Sequence, residues 1–208
     1  MKRSDFDVAE PITESTAVTG LRTLAPVGSV LGCCLLVSLG AQVRIPVPGT
    51  DVFMTLQPLA VLLTGFALSP RRAVAAMLLY LACGTAGLPV FAGSAGLAGP
   101  TGGYLVGFVV AAWLISALKG GHGAGFGRLL PVGAAGLLVI FASGIAWRAG
   151  LAFFLGLFGG EVWLAVSTGL IPFLAKSVVE LLVAVTLVVS VRRPRSGRRL
   201  RRLRFRGV

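Results

Sequence analysis

The chain is short of charge, and that shortage sets its class. Of 208 residues only 12% are charged while 56% are hydrophobic, where a soluble domain runs to about a quarter charged. Acids are the scarcest, seven Asp and Glu against nineteen Lys and Arg. The one histidine, His122, sits in the glycine-rich stretch KGGHGAGFGR, which leaves little material for a metal centre. The three cysteines, Cys33, Cys34 and Cys83, have no CxxC spacing, so neither a disulfide framework nor a metal site is expected. Cys33 and Cys34 are neighbours whose side chains on a helix point about 100° apart. No G-x-x-x-x-G-K-[ST] loop occurs, so the chain has nothing with which to cradle ATP phosphates. No cofactor is implied.

What the chain has instead is long apolar runs with charges confined to their ends, and a mean hydropathy of +0.92. That pattern means an integral membrane protein. The runs are Leu24–Val43, Met54–Leu68, Ala73–Val90, Tyr104–Leu118, Leu129–Trp147 and Trp163–Val191. A spanning helix needs about 20 residues, so the second and fourth runs must borrow flanking residues. The expected fold is all-α, six transmembrane helices in one domain over residues 24–191. A tail of residues 1–23 precedes it and an arginine-rich tail of residues 192–208 follows. Asp5, Asp7, Glu10 and Glu14 stand where the apolar region of a signal peptide would be, so the N-terminus reads as a solvated tail.

The C-terminal tail carries nine arginines in 17 residues and only Phe205 as an aromatic. A nucleic-acid reader would interleave aromatics, so none is expected as a partner. A basic run directly after a span is instead an anchor at anionic lipid headgroups in the cytoplasmic leaflet. With both termini inside, the cytoplasmic side receives 16 of the 19 cations. Arg44 and Arg148 fall outside, and Lys176 lies near the start of the last span. This asymmetry predicts a multi-pass protein of the cell membrane with both termini cytoplasmic.

Three polar constellations then fall on the predicted outer face. In GLPVFAGSAGLAGPTGGYLVGF, Gly87–Phe108, the connection from Pro89 to Pro100 stays apolar. Irregular chain at membrane depth survives only when buried in protein or lining a cavity, so this connection reads as a lid over a pocket. Its end, GPTGG, enters the fourth span, where Thr101 can cap the helix and Gly102 and Gly103 let a ligand touch backbone. A tight turn between packed helices would use the same residues. In RIPVPGTDVFMTLQPLAVLLTG, Arg44–Gly65, Thr55 and Gln57 enter the second span, and a glutamine there meets either a neighbouring helix or a ligand. In GLIPFLAKSVVE, Lys176, Ser177 and Glu180 share one side of the last helix at i, i+1 and i+4. Few polar groups in an apolar cleft is the layout of a small-molecule site.

The stretches IPVP, TLQPLAVLLTG, LLYLACGTAGLPVFAG and GPTGGYLVGF closely resemble the BioY family. These are the biotin-specific substrate-capture (S) components of energy-coupling-factor (ECF) vitamin transporters. The resemblance runs from about Leu24 to Val191 and is strongest from Ile45 to Phe108. It implies a six-helix S component that captures biotin outside and delivers it inward. Its partners would be a transmembrane coupling subunit and two ABC-type ATPases, dispensable for some members. By motif match, Gln57, Tyr80, Phe91 and Thr101 to Tyr104 would line or support the pocket, although Tyr80 and Phe91 also suit ordinary core packing. Gly28 and Gly32, four apart on the first span and continuing to Gly40, suit either docking to the coupling subunit or packing within the bundle.

Two departures stand out. The glycine-rich insert between VFAG and GPTGG is reduced here to SAGLA. In the last helix the family resembles P-F-x-P-G-D-x-x-K, whose aspartate and lysine are associated with biotin; here Ser177 and Glu180 occupy those places. An ionised Glu180 would repel a carboxylate ligand, by several kcal/mol if both were dry. Lys176, one turn earlier, could pair with it or turn to the ligand, and Arg44 could hold a carboxylate at the mouth. A different biotin-like ligand, or a solitary carrier working without ATPases, remains an alternative. An intramembrane hydrolase built on Ser94 or Ser177 needs a base, and His122 is expected on the opposite face.

Overall fold

Among the described residues, the shortest α-helix is the one that touches all the others. In a computed structural model, residues 13–46, 53–93, 96–121, 123–154 and 170–192 are described. Helix α2, Gln57–Ala67, is 11 residues long and so rises only about 16 Å, half of a hydrocarbon core. Its length is set locally. Pro58 sits in its first turn, where a missing N–H costs nothing. Pro70 follows three residues after its end and pushes Ser69 out of helical geometry (ψ 158°).

Helices α1 (Thr13–Gln42), α3 (Pro70–Thr85), α4 (Gly102–Leu118), α5 (Phe126–Phe154) and α6 (Ile171–Arg192) all touch α2. Among the described residues, α1, α5 and α6 are long and apolar enough to cross a membrane, while α2 and α4 are shorter apolar helices. Large apolar side chains such as Leu31, Leu35, Leu138 and Val178 lie on the outside, as suits a bundle whose solvent is lipid. The core runs through the middle of the bundle, with Val61, Leu62, Phe66, Met77, Tyr80, Ile115 and Val185 fully buried.

Helices stand at the six expected positions, with shifted bounds. The third was expected to continue to Val90, but α3 ends at Thr85. Gly87 there takes φ +91°, a left-handed conformation that glycine adopts without strain, and Pro89 follows. The last helix begins at Ile171 rather than Trp163; residues 155–169 lie outside the described set. Along the α4–α5 seam a Cβ on Gly103 or Gly107 would overlap Trp147 or Ser143 of α5. This i, i+4 glycine pair is what lets the two backbones approach.

Between α3 and α4 the chain makes one short 3-10 turn, Gly96–Ala98, and is tied down from three sides. Gln42 Nε2 donates to Pro89 O (2.9 Å), Arg44 Nη2 to Phe91 O (3.2 Å) and Trp147 Nε1 to Gly99 O (3.1 Å). Beneath it, Phe91 lies so close over Gly84 that no Cβ fits there. The described part of the connection is a cover fastened to the bundle.

Candidate functional site

Under that cover lies a tight cavity of about 60 Å³, smaller than the usual small-molecule site. Its walls come from four helices and the cover. The entry to α2 supplies Phe53, Thr55 and Gln57, the cover Phe91 and Ala92, and α4 Thr101, Tyr104 and Phe108. Helix α5 supplies Ile140 and Phe141, and α6 supplies Phe173, Lys176 and Ser177. The wall is apolar and strongly aromatic, interrupted by a few polar tips.

Those tips are held by bonds of one consistent direction. The Thr55 hydroxyl donates to Gln57 Oε1 at 3.0 Å, and Gln57 Nε2 donates to Tyr80 Oη at 2.6 Å. Tyr80 Oη in turn donates to Val90 O of the cover at 3.3 Å. The amide of Gln57 is thereby oriented, and the cost of burying it is met. Tyr80 is fully buried and meets Phe91 edge-on, ring centres 5.3 Å apart. It stands behind the wall, connecting the cavity to its cover.

On α6, Lys176 Nζ donates to Glu180 Oε1 at 2.7 Å. Lys176 lines the cavity, whereas Glu180 stands behind the wall at 4% exposure. Glu180 Oε2 has no hydrogen-bond partner, but the Leu59 backbone N–H of the first turn of α2 lies against the carboxylate. The positive end of α2 and the Lys176 ammonium together face this one buried acid.

The expected site residues separate into three groups. Gln57, Phe91, Thr101, Tyr104, Lys176 and Ser177 are brought together in the wall. Tyr80 and Glu180 stand behind it. Gly102 and Gly103 instead pack against Leu97, Trp147 and Ser143 in the α4–α5 seam, and Arg44 bonds Ala41 O, Gln42 Oε1 and Phe91 O. Thr101 occupies the N-cap position of α4, but its side chain makes no capping bond, which corrects the expected cap. Gly28 and Gly32 have nothing within 4 Å of an added Cβ, while Gly40 packs on the Leu56 carbonyl. Ser94 and His122 lie outside the described residues. Ile140 and Phe141 were not foreseen, because their run reads simply as membrane span.

This all-helical, multi-pass membrane bundle has the fold of a substrate-capturing S component. The crystal structure of the S-component for biotin from an ECF-type ABC transporter superposes with a TM-score of 0.66, covering 87% of this chain and 94% of that one at 23% identity. The chain belongs to the BioY family, which it matches over residues 14–197. Among its relatives, the biotin transporter BioY of Thermotoga maritima is 33% identical over 162 residues, 76% of this chain and 90% of that one. The probable biotin transporter BioY of Pyrococcus horikoshii is 36% identical over 159 residues, 73% and 86% of the two chains. The family is one of transporters rather than enzymes.

Proposed function

We propose that this protein is the S component of an ECF transporter, taking up biotin. It binds the vitamin in the covered cavity on the outer side of the membrane and delivers it inward with a coupling subunit and two ATPases. The cation asymmetry supports this orientation, both termini inside and the cavity outside. The observation that carries the reading is the cavity itself, an aromatic-walled space with Gln57 at one side and Lys176 at another. A bicyclic urea suits amide and hydroxyl partners, and a valerate carboxylate suits a cation.

The family's acid-and-base pair is replaced in α6, and the geometry suggests how the function survives. Glu180 does not line the cavity, and its charge is countered from two directions, by Lys176 and by the end of α2. An ammonium has three N–H donors; Glu180 takes one, leaving Lys176 free to meet a ligand carboxylate. Tyr104, Thr101 and Ser177 supply neutral partners around it, while Arg44 fastens the cover. The open, glycine-bearing face of α1 at Gly28 and Gly32 is the proposed docking face for the coupling subunit.

Calorimetry with biotin tests the assignment, on the native chain and on a Ser177→Asp, Glu180→Lys double variant. Tight binding by the native chain supports it. Binding by the variant alone would show that this transporter takes another ligand. Co-purification with ATPase subunits separates the S component from a solitary carrier.

A further inference from the structure

The opposite end of α2 holds a cluster that biotin capture does not use. Lys119, just past α4, donates to the carbonyl oxygens of Gly65 (3.1 Å), Phe66 (3.0 Å) and Leu68. Arg192, the last residue of α6, donates through Nη2 to the same Phe66 oxygen at 2.7 Å. The two cationic nitrogens are therefore no farther apart than the sum of those two bonds. Such crowding of like charge is costly without an anion. Burial, and then the neighbouring Arg192, push Lys119 down from its ordinary value to about 8. Among residues whose side chains are described, Glu180 is the only acid, and it serves Lys176 at the other end of α2.

Two further features point outward from this pair. Arg192 Nη1 is buried with no acceptor. Arg192 also closes one end of an apolar groove of about 270 Å³ on the lipid-facing side, walled by Leu63, Phe66 and Ala67 of α2 and Leu187 and Val188 of α6. The groove suits a hydrocarbon chain, and its end suits an oxyanion.

We propose that this groove is a specific site for one anionic phospholipid of the cytoplasmic leaflet, its acyl chain between α2 and α6 and its phosphate on Arg192, with Lys119 behind it as a second positive charge. The occupant follows from charge complementarity. A phosphate supplies the acceptor that Nη1 lacks and the counter-charge that the pair lacks, and basic pockets between helices at the inner leaflet bind such headgroups. A protein segment would have to bring its own acid to the same place. The site does not depend on what the outer cavity binds.

Native mass spectrometry of the full chain, with phosphatidylglycerol or phosphatidylcholine of identical acyl chains, tests it. The native chain should retain phosphatidylglycerol with a preference of about tenfold, and Arg192→Gln should lose that preference. Ala67→Phe, which fills the groove and leaves both cations, should lose lipid retention while still binding biotin, so a folding defect in Arg192→Gln does not blur the result. Arg71→Gln, at the same membrane face but outside the groove, should behave as native. Equal retention of the two lipids by the native chain overturns the proposal. So does thermal protection by inorganic phosphate alone that equals that of phosphatidylglycerol, because the occupant is then a free anion. Loss of coupling-subunit association in Arg192→Gln with no lipid preference in the native chain assigns the groove to a protein partner instead.

Discussion

The two ends of α2 meet their surroundings in opposite ways. At its N-terminus the helix offers a positive dipole end, and a buried carboxylate, Glu180, lies against the Leu59 N–H. At its C-terminus the free carbonyls of Gly65, Phe66 and Leu68 face two cations, Lys119 and Arg192. Both ends obey the same electrostatics, but only one opens into a covered cavity. A helix half the thickness of the membrane must bury both sets of unsatisfied backbone groups inside protein. The far end is closed by two cations, and one of them, Arg192, also faces the groove beside it. The cavity end leaves polar tips, Lys176 among them, facing space.

Substitutions at each end should therefore separate binding from stability. The largest effect is expected from Lys176→Met. It removes the cation from the cavity wall and leaves Glu180 buried without its partner, which should cost about 3 kcal/mol of stability and abolish measurable biotin binding. Adding Glu180→Met should restore thermal stability without restoring binding, as scanning calorimetry and titration calorimetry would show. If the double variant binds biotin like the native chain, Lys176 is not the carboxylate partner.

At the far end, Lys119→Met should lower stability by about 2 kcal/mol through the loss of charged hydrogen bonds to three carbonyls. Biotin affinity in the folded fraction should be unchanged. A change in affinity comparable to that of Lys176→Met would erase the distinction between the ends. The smallest effect on the isolated chain is expected from Gly28→Leu with Gly32→Leu. Both positions are open, so melting temperature and biotin binding should stay native while association with the coupling subunit weakens in pull-down. Joint loss of folding and binding would place these glycines in an internal seam.

Much of the fold was written locally. Pro58 and Pro70 mark the bounds of α2, and Gly87 followed by Pro89 marked the end of α3, although the apolar run through Val90 obscured it. The pairing of Lys176 with Glu180 was legible from their i, i+4 spacing. The bond between Gln57 and Tyr80 was not, because 23 residues and two helix orientations separate them. Gly102 and Gly103 show the same limit. Small residues at a helix entry suit a ligand and a neighbouring helix equally well, and only the position of Trp147 on α5 decides for packing.

The sequence by itself determined that this chain lives in a membrane, where its helices stand, and which few polar residues would be costly to bury. Hydropathy, proline and glycine act within a turn or two of chain, so their consequences can be read in order along it. The tertiary structure alone decided which of those polar residues share one cavity, which stand behind its wall, and that Lys119 and Arg192 close the far end of α2. Those outcomes depend on how each helix is rotated against its neighbours. That rotation is set by the fit of side chains across the whole bundle and by the need to pair each buried polar group, and no single stretch of sequence contains both sides of such a contact.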